Sequence, residues 1–166
     1  MSSLIARAEH GCDLLQAAYN WKLDDRLGVT VLGRCNAFGI QARLLVDSDG
    51  STALVVPGTG YAEKGEADEK YADWLRNLRS FFAVPRLGQS GRFFWPAGFL
   101  EQADLIDDWL RDQLDGRHGF RAIDFAYGHS QGSGAIQPLV WSNAELFKEA
   151  HAVASPFGCF SADAAL

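Results

Sequence analysis

Apolar residues set the first element. Ile5, Ala8, Cys12, Leu15 and Tyr19 recur at i, i+3, i+7, i+10 and i+14, which places them on one helical face. Ser2 or Ser3 stands where a helix cap belongs. From Gly28 the pattern shortens to alternate residues. Val29 and Val31, then Phe38, Ile40, Ala42, Leu44 and Val46, alternate with more polar neighbours and predict a strand. Asp47-Ser48-Asp49-Gly50 reads as a turn, and Thr52 to Val56 as the returning strand of a hairpin. That second strand is almost wholly apolar, as expected of a strand covered on both faces.

Pro57-Gly58-Thr59-Gly60 is a loop leaving a strand end, and the polar stretch Glu63 to Lys70 leads into a helix with the face Tyr71, Trp74, Leu75 and Leu78. Pro85 to Gly91 reads as loop and Phe93-Phe94-Trp95 as a short buried strand. Phe99, Ala103, Ile106, Leu110 and Leu114 predict another helix, closed by Asp115-Gly116. Ala122 to Tyr127 reads as a strand, Gln131 opens a helix, and Ala150 to Ala154 is again a strand. Strand, helix, strand in that order is a βαβ unit, which implies parallel pairing. Hairpin and βαβ unit together predict an α/β fold with a mixed, mostly parallel sheet and helices on both faces.

Composition narrows the possibilities. A length of 166 residues favours one domain over 1–166. With 12% aromatics and 48% hydrophobic residues, the chain has the material for a packed core and is not of the disordered class. The net charge of −6, without a Lys/Arg cluster, opposes nucleic-acid binding. Cys12, Cys35 and Cys159 are odd in number and lack metal-ligand spacing, so free buried thiols in a reducing compartment are expected. Asp47 and Asp49 lack the rest of a calcium loop, and neither a metal site nor a cofactor is predicted. Met1 to Gly11 has no apolar core of leader length, and no apolar run reaches transmembrane length. A cytoplasmic protein without a transmembrane segment is the expectation.

The chemistry concentrates at Gly128-His129-Ser130-Gln131-Gly132. A serine nucleophile must stand proud of a sheet, and a very sharp strand-to-helix turn achieves this by crowding the backbone. The positions two before and two after the serine must then be small, which Gly128 and Gly132 supply. A helix opening at Gln131 points its positive end at the same place, which favours a developing oxyanion. A phosphate-binding loop would need a lysine after the glycines, and none follows.

These residues resemble the elbow of the class 3 lipase family, the fungal-lipase-like branch of the α/β hydrolases, where it reads GHSLGG. Here Gln131 replaces the leucine. Three other segments fall in the family's order: Ala53-Leu54-Val55-Val56-Pro57-Gly58-Thr59, with Pro57 for an arginine; Asp73-Trp74-Leu75-Arg76-Asn77-Leu78; and Ala152-Val153-Ala154-Ser155-Pro156, with Ala154 for a glycine. Trp95-Pro96-Ala97-Gly98-Phe99 matches a fifth motif, with Trp95 for a histidine. The resemblance implies that Ser130 is the nucleophile, that the Thr59 and Gln131 amides form the oxyanion hole, and that the substrate is a small ester or lipid. The family's catalytic Asp and His follow the segment matched by Ser155-Pro156, and they have no matching positions here. His129 is expected to brace the elbow, and His151 to begin the last strand at its far end. Without later strands, one sheet edge should be open and apolar, and a homodimer or a protein partner is expected there. The chain therefore reads as an esterase- or lipase-like hydrolase with an incomplete visible triad. The alternatives are a hydrolase-derived binding module and a fragment that needs a partner chain.

Overall fold

The computed structural model describes residues 4–19, 27–37, 40–58, 83–88, 91–114, 121–155 and 160–161. The first helix, α1, spans Leu4–Tyr19. It buries Gly11, Leu14, Leu15, Ala17 and Ala18, a face rotated from the Ile5-Ala8-Cys12 stripe. Ile5 is 69% exposed, and Cys12 is an exposed thiol rather than a buried one. Close approach explains the rotation. A Cβ on Gly11 would lie 2.2 Å from a ring carbon of Tyr127, so α1 rests on that ring through the one residue that has no side chain. Burial, reinforced by the Glu149 and Asp47 carboxylates, pushes the Tyr127 phenol up to about 12, and it stays neutral beneath the helix.

The alternation from Gly28 resolves into two strands, not one. β1 (Thr30–Ala37) and β2 (Ile40–Val46) pair antiparallel, with Ala37 opposite Ile40. A single strand over this span would far exceed the usual length of about five or six residues. β3 (Thr52–Val56) returns antiparallel along β2, so the predicted hairpin stands with one strand added before it.

The remaining elements are β4 (Ala83–Gly88), β5 (Gly91–Pro96), α2 (Ala97–Gln113), β6 (Ile123–His129), α3 (Gln131–Ser142), β7 (Phe147–Val153) and β8 (Phe160–Ser161). The main sheet runs β1-β2-β3-β6-β7. β3 and β6 are parallel, as are β6 and β7, while the first two contacts are antiparallel. The sheet is thus mixed, its parallel half lying beside the elbow. The segment read as loop from Pro85 is largely strand. β4 pairs with β5, and β5 with β8, in a separate three-stranded sheet. Pro85 misled because it cannot donate to a ladder, yet β4 is an edge strand, where that deficit is tolerated. The helix face at Tyr71 to Leu78 and the loop from Thr59 lie outside the described residues.

Alternate strand residues feed two cores. Leu44, Leu54, Val56 and Ala126 pack with Ala103, Ile106 and Leu110 of α2 and with Ala135, Ile136 and Leu139 of α3. Leu45, Ala53, Val55 and Tyr127 pack with Leu14, Leu15, Ala17 and Ala18 of α1 on the other face. α2 and α3 meet at Gly134, where a Cβ would lie 2.7 Å from the Phe99 ring. The sheet is therefore covered on both sides, and β3 is buried along its whole length. β7 forms one edge, and no described strand pairs with its outer side. Its composition departs from the apolar expectation: Lys148, Ala150 and Ala152 are exposed, with Glu149 and His151 between them. No helix among the described residues is long and apolar enough to cross a membrane.

Candidate active site

β6 ends at His129 and α3 begins at Gln131, which leaves Ser130 alone to make the turn. Its φ is 52° and its ψ is −120°. Positive φ is disfavoured for any residue with a Cβ, and holding one there costs about 1–3 kcal/mol. The neighbouring glycines show what enforces it. A Cβ on Gly132 would lie 2.1 Å from Val56 O and 2.6 Å from Pro57 O, so the start of α3 is pressed against the end of β3. A Cβ on Gly128 would lie 2.8 Å from Gly132 O. Both positions exclude any larger residue, and the motif's spacing follows from that crowding.

The turn is fastened to β7. The Ser130 N–H donates to Val153 O at 2.9 Å, and the Gly134 N–H donates to Ser130 O at 3.2 Å. Ser133 is fully buried. Its Oγ lies 2.7 Å from both Gly128 O and Val153 O, so its one proton is shared between the two carbonyls. Gln137 Nε2 donates to Ser133 O at 3.1 Å and to Ser155 Oγ at 2.5 Å. The Ser130 amide is thereby engaged, and any oxyanion donor must come from elsewhere.

Five residues named from sequence, Gly128, His129, Ser130, Gln131 and Gly132, sit in this turn, with Ser130 half-buried and Gln131 buried. Thr59 lies outside the described residues, but Gly58 before it is placed. A Cβ on Gly58 would come within 2.9 Å of both Ser130 Cβ and His129 O, so the loop leaving β3 passes directly against the serine. Two contributors are not among the site residues that the sequence points to, Gly58 and Tyr19. Tyr19 was placed on an apolar helix face. Its hydroxyl is in fact bonded to residues 39 and 110 positions away, a separation that no local pattern reveals.

The three described imidazoles are all occupied away from Ser130. His10 Nε2 pairs with Asp47 Oδ2, at the opposite end of β2 and β3. His129 Nδ1 lies 2.9 Å from Tyr19 Oη. His151 lies within β7 opposite Tyr127, not at the strand's start, because β7 begins earlier than the apolar pattern indicates. It stacks on the Tyr127 ring at 5.2 Å, and its Nε2 lies 2.7 Å from Glu149 Oε1. His118 lies outside the described residues.

A mixed sheet with helices on both faces, and a serine on a strained turn between a central strand and the next helix, define a lipase-like α/β fold. The structure is similar to a triacylglycerol lipase from Penicillium expansum, with a TM-score of 0.62 and 14% identity, over 90% of this chain and 59% of that one. It is similar also to the Rhizomucor miehei lipase propeptide complex. A deletion mutant of that complex gives a TM-score of 0.60 at 14% identity, over 88% of this chain and 48% of the other. The native form gives 0.57 at 14% identity, over 88% and 49%. The chain thus spans roughly half to three-fifths of the length of these lipases. No family model matches the sequence, and no curated protein matches it.

Proposed function

We propose that this protein is a serine hydrolase acting on carboxylic esters, with Ser130 as the nucleophile. The observation that carries the reading is the backbone of Ser130, held at φ 52° where a glycine would be unstrained. A serine kept in a backbone conformation that favours glycine is expected where the hydroxyl has work to do. The similarity to fungal lipases supports the same reading at the level of fold.

In this mechanism Ser130 Oγ attacks the acyl carbonyl and passes its proton to a base, and the carbonyl oxygen becomes an oxyanion. The Gln131 amide, next to the serine at the head of α3, and the Thr59 amide stabilise it. Collapse of the tetrahedral species breaks the ester bond and releases the alcohol, and water then frees the acid from Ser130. The three described imidazoles are engaged away from Ser130, so the base comes from an unrecognised residue, another subunit or a separate polypeptide.

That requirement favours one alternative, a module that keeps the fold and the serine turn but does not turn over substrate. Fluorophosphonate labelling separates the two. Wild type and Ser130→Ala are compared by intact mass, with p-nitrophenyl acetate and butyrate turnover alongside. One adduct on the wild type and none on the variant is the hydrolase outcome. Absence of label from both leaves the binding module.

A further inference from the structure

Tyr19 is the last residue of α1, and its hydroxyl sits between the two segments that flank Ser130. The Gly58 N–H donates to Tyr19 Oη at 2.5 Å, and Tyr19 Oη lies 2.9 Å from His129 Nδ1. The phenol oxygen thus accepts from the Gly58 amide and lies within hydrogen-bond distance of the His129 ring, the direction of that second bond following the imidazole tautomer. The rings meet edge to face, with centroids 5.6 Å apart and planes at 84°. Gly58 immediately precedes Thr59, and His129 immediately precedes Ser130.

We propose that Tyr19 is a positioning residue for the oxyanion hole. Its hydroxyl fixes the spacing between Gly58, where the described chain leaves β3, and the turn that carries Ser130 and Gln131. The proposal rests on the hydrolase reading above. Space around Gly58 argues that the bond sets a distance and does not merely fill a polar vacancy. A Cβ there would lie 2.5 Å from Tyr19 Oη and 2.9 Å from both His129 O and Ser130 Cβ. Two chain segments, the end of α1 and the serine turn, therefore converge on Gly58, and the phenol oxygen is the only polar side-chain atom among those closest contacts. An oxyanion hole is sensitive to such spacing, because its donors must lie within about 2.7–3.1 Å of the developing charge.

α1 delivers this hydroxyl. The helix is anchored where Gly11 meets Tyr127, and Tyr19 stands eight residues further on, about 12 Å along the axis at an α-helical rise. Leu14, Leu15 and Ala18 bury the helix between these two points. The fold thus commits its first helix to holding one phenol against the serine turn.

Tyr19→Phe keeps the ring and removes the hydroxyl. kcat for p-nitrophenyl butyrate should fall about tenfold per titrated active site, less than the roughly 10²–10³ seen when an oxyanion donor is itself deleted. Affinity for a trifluoromethyl ketone, which forms a tetrahedral adduct on serine, should weaken by a similar factor, while KM stays within about twofold. His129→Gln, which removes the imidazole and leaves Tyr19 intact, should reproduce this pattern, and the two losses should not add. In imidazole nitrogen spectra, Tyr19→Phe should shift the His129 Nδ1 resonance. An unchanged kcat per titrated site in either folded variant overturns the positioning role, as does a loss that only mirrors fewer titratable sites. If wild-type protein neither labels nor turns over, the hydrolase reading itself falls and takes this proposal with it.

Discussion

Ser130→Gly should make the protein more stable while removing its nucleophile. The serine backbone lies at φ 52° and ψ −120°, where a Cβ costs about 1–3 kcal/mol and glycine pays no such penalty. Glycine also gives the unfolded chain more freedom, which offsets about 0.4–1 kcal/mol of the gain. The net expectation is a stabilisation of about 1 kcal/mol, or about 2–4 °C in Tm for a chain of this size. Ser130→Ala is the control. It loses the same hydroxyl but keeps the Cβ and its strain, so its stability should stay close to wild type. The difference between the two variants isolates the backbone term. Urea unfolding followed by far-UV circular dichroism measures it, provided that m is unchanged and only the midpoint moves. If the glycine variant is no more stable than the alanine variant, the turn is not strained. Crowding then does not impose the serine's conformation.

Four further expectations follow. Gly11→Ala places a methyl against the Tyr127 ring, where a Cβ would lie 2.2 Å away; overpacking should cost about 1–3 kcal/mol and alter the near-UV tyrosine signal. Leu54→Ala, at a fully buried site in β3, should cost about 2–5 kcal/mol in urea unfolding, and a loss under about 1 kcal/mol would argue against the central place of β3. Burial alone would raise the Asp124 carboxyl, but the Lys148 ammonium and the Thr52 amide and hydroxyl outweigh it and hold the group below its ordinary 3.8. Its contribution is thus present above that value and lost as pH falls below it; between about pH 5 and about pH 3 the wild-type urea midpoint should fall more steeply than that of Asp124→Asn. Finally, we propose that a second copy or another protein pairs with the outer edge of β7; light scattering at micromolar concentration should then give a mass above that of one chain, and the mass of a single chain refutes self-association.

The sequence reveals the elbow because its physics is local. Gly128 and Gly132 are small for reasons contained within five residues, and the strand before and the helix after them carry their own periodicities. α2 is legible for the same reason, its Phe99 to Leu114 stripe being long and regular. Failures occur where a distant contact decides. The docking face of α1 is chosen by Tyr127, more than a hundred residues away, so the spacing of Ile5, Ala8 and Cys12 points to the wrong side. Gly11, Leu14, Leu15 and Ala18 show an equally good helical period, but nothing local ranks one stripe above the other. β1 and β2 read as a single strand because alternation continues through both while the reversal between them is nearly silent. Tyr19 escapes notice because its apolar ring satisfies the helical pattern that its hydroxyl exceeds.

The bond from the Ser130 amide to Val153 O has a consequence for the order in which the chain closes. That amide is sheltered from solvent exchange by the neighbouring strand, not by the helix it introduces. Ser133 reinforces the tie through the same carbonyl. Opening β7 therefore exposes the serine's backbone in the same event, and the two behave as one cooperative unit. During synthesis the turn stays unlocked until Val153 has been added and laid alongside β6. The residue on which the proposed chemistry depends thus acquires its geometry from a strand made after it.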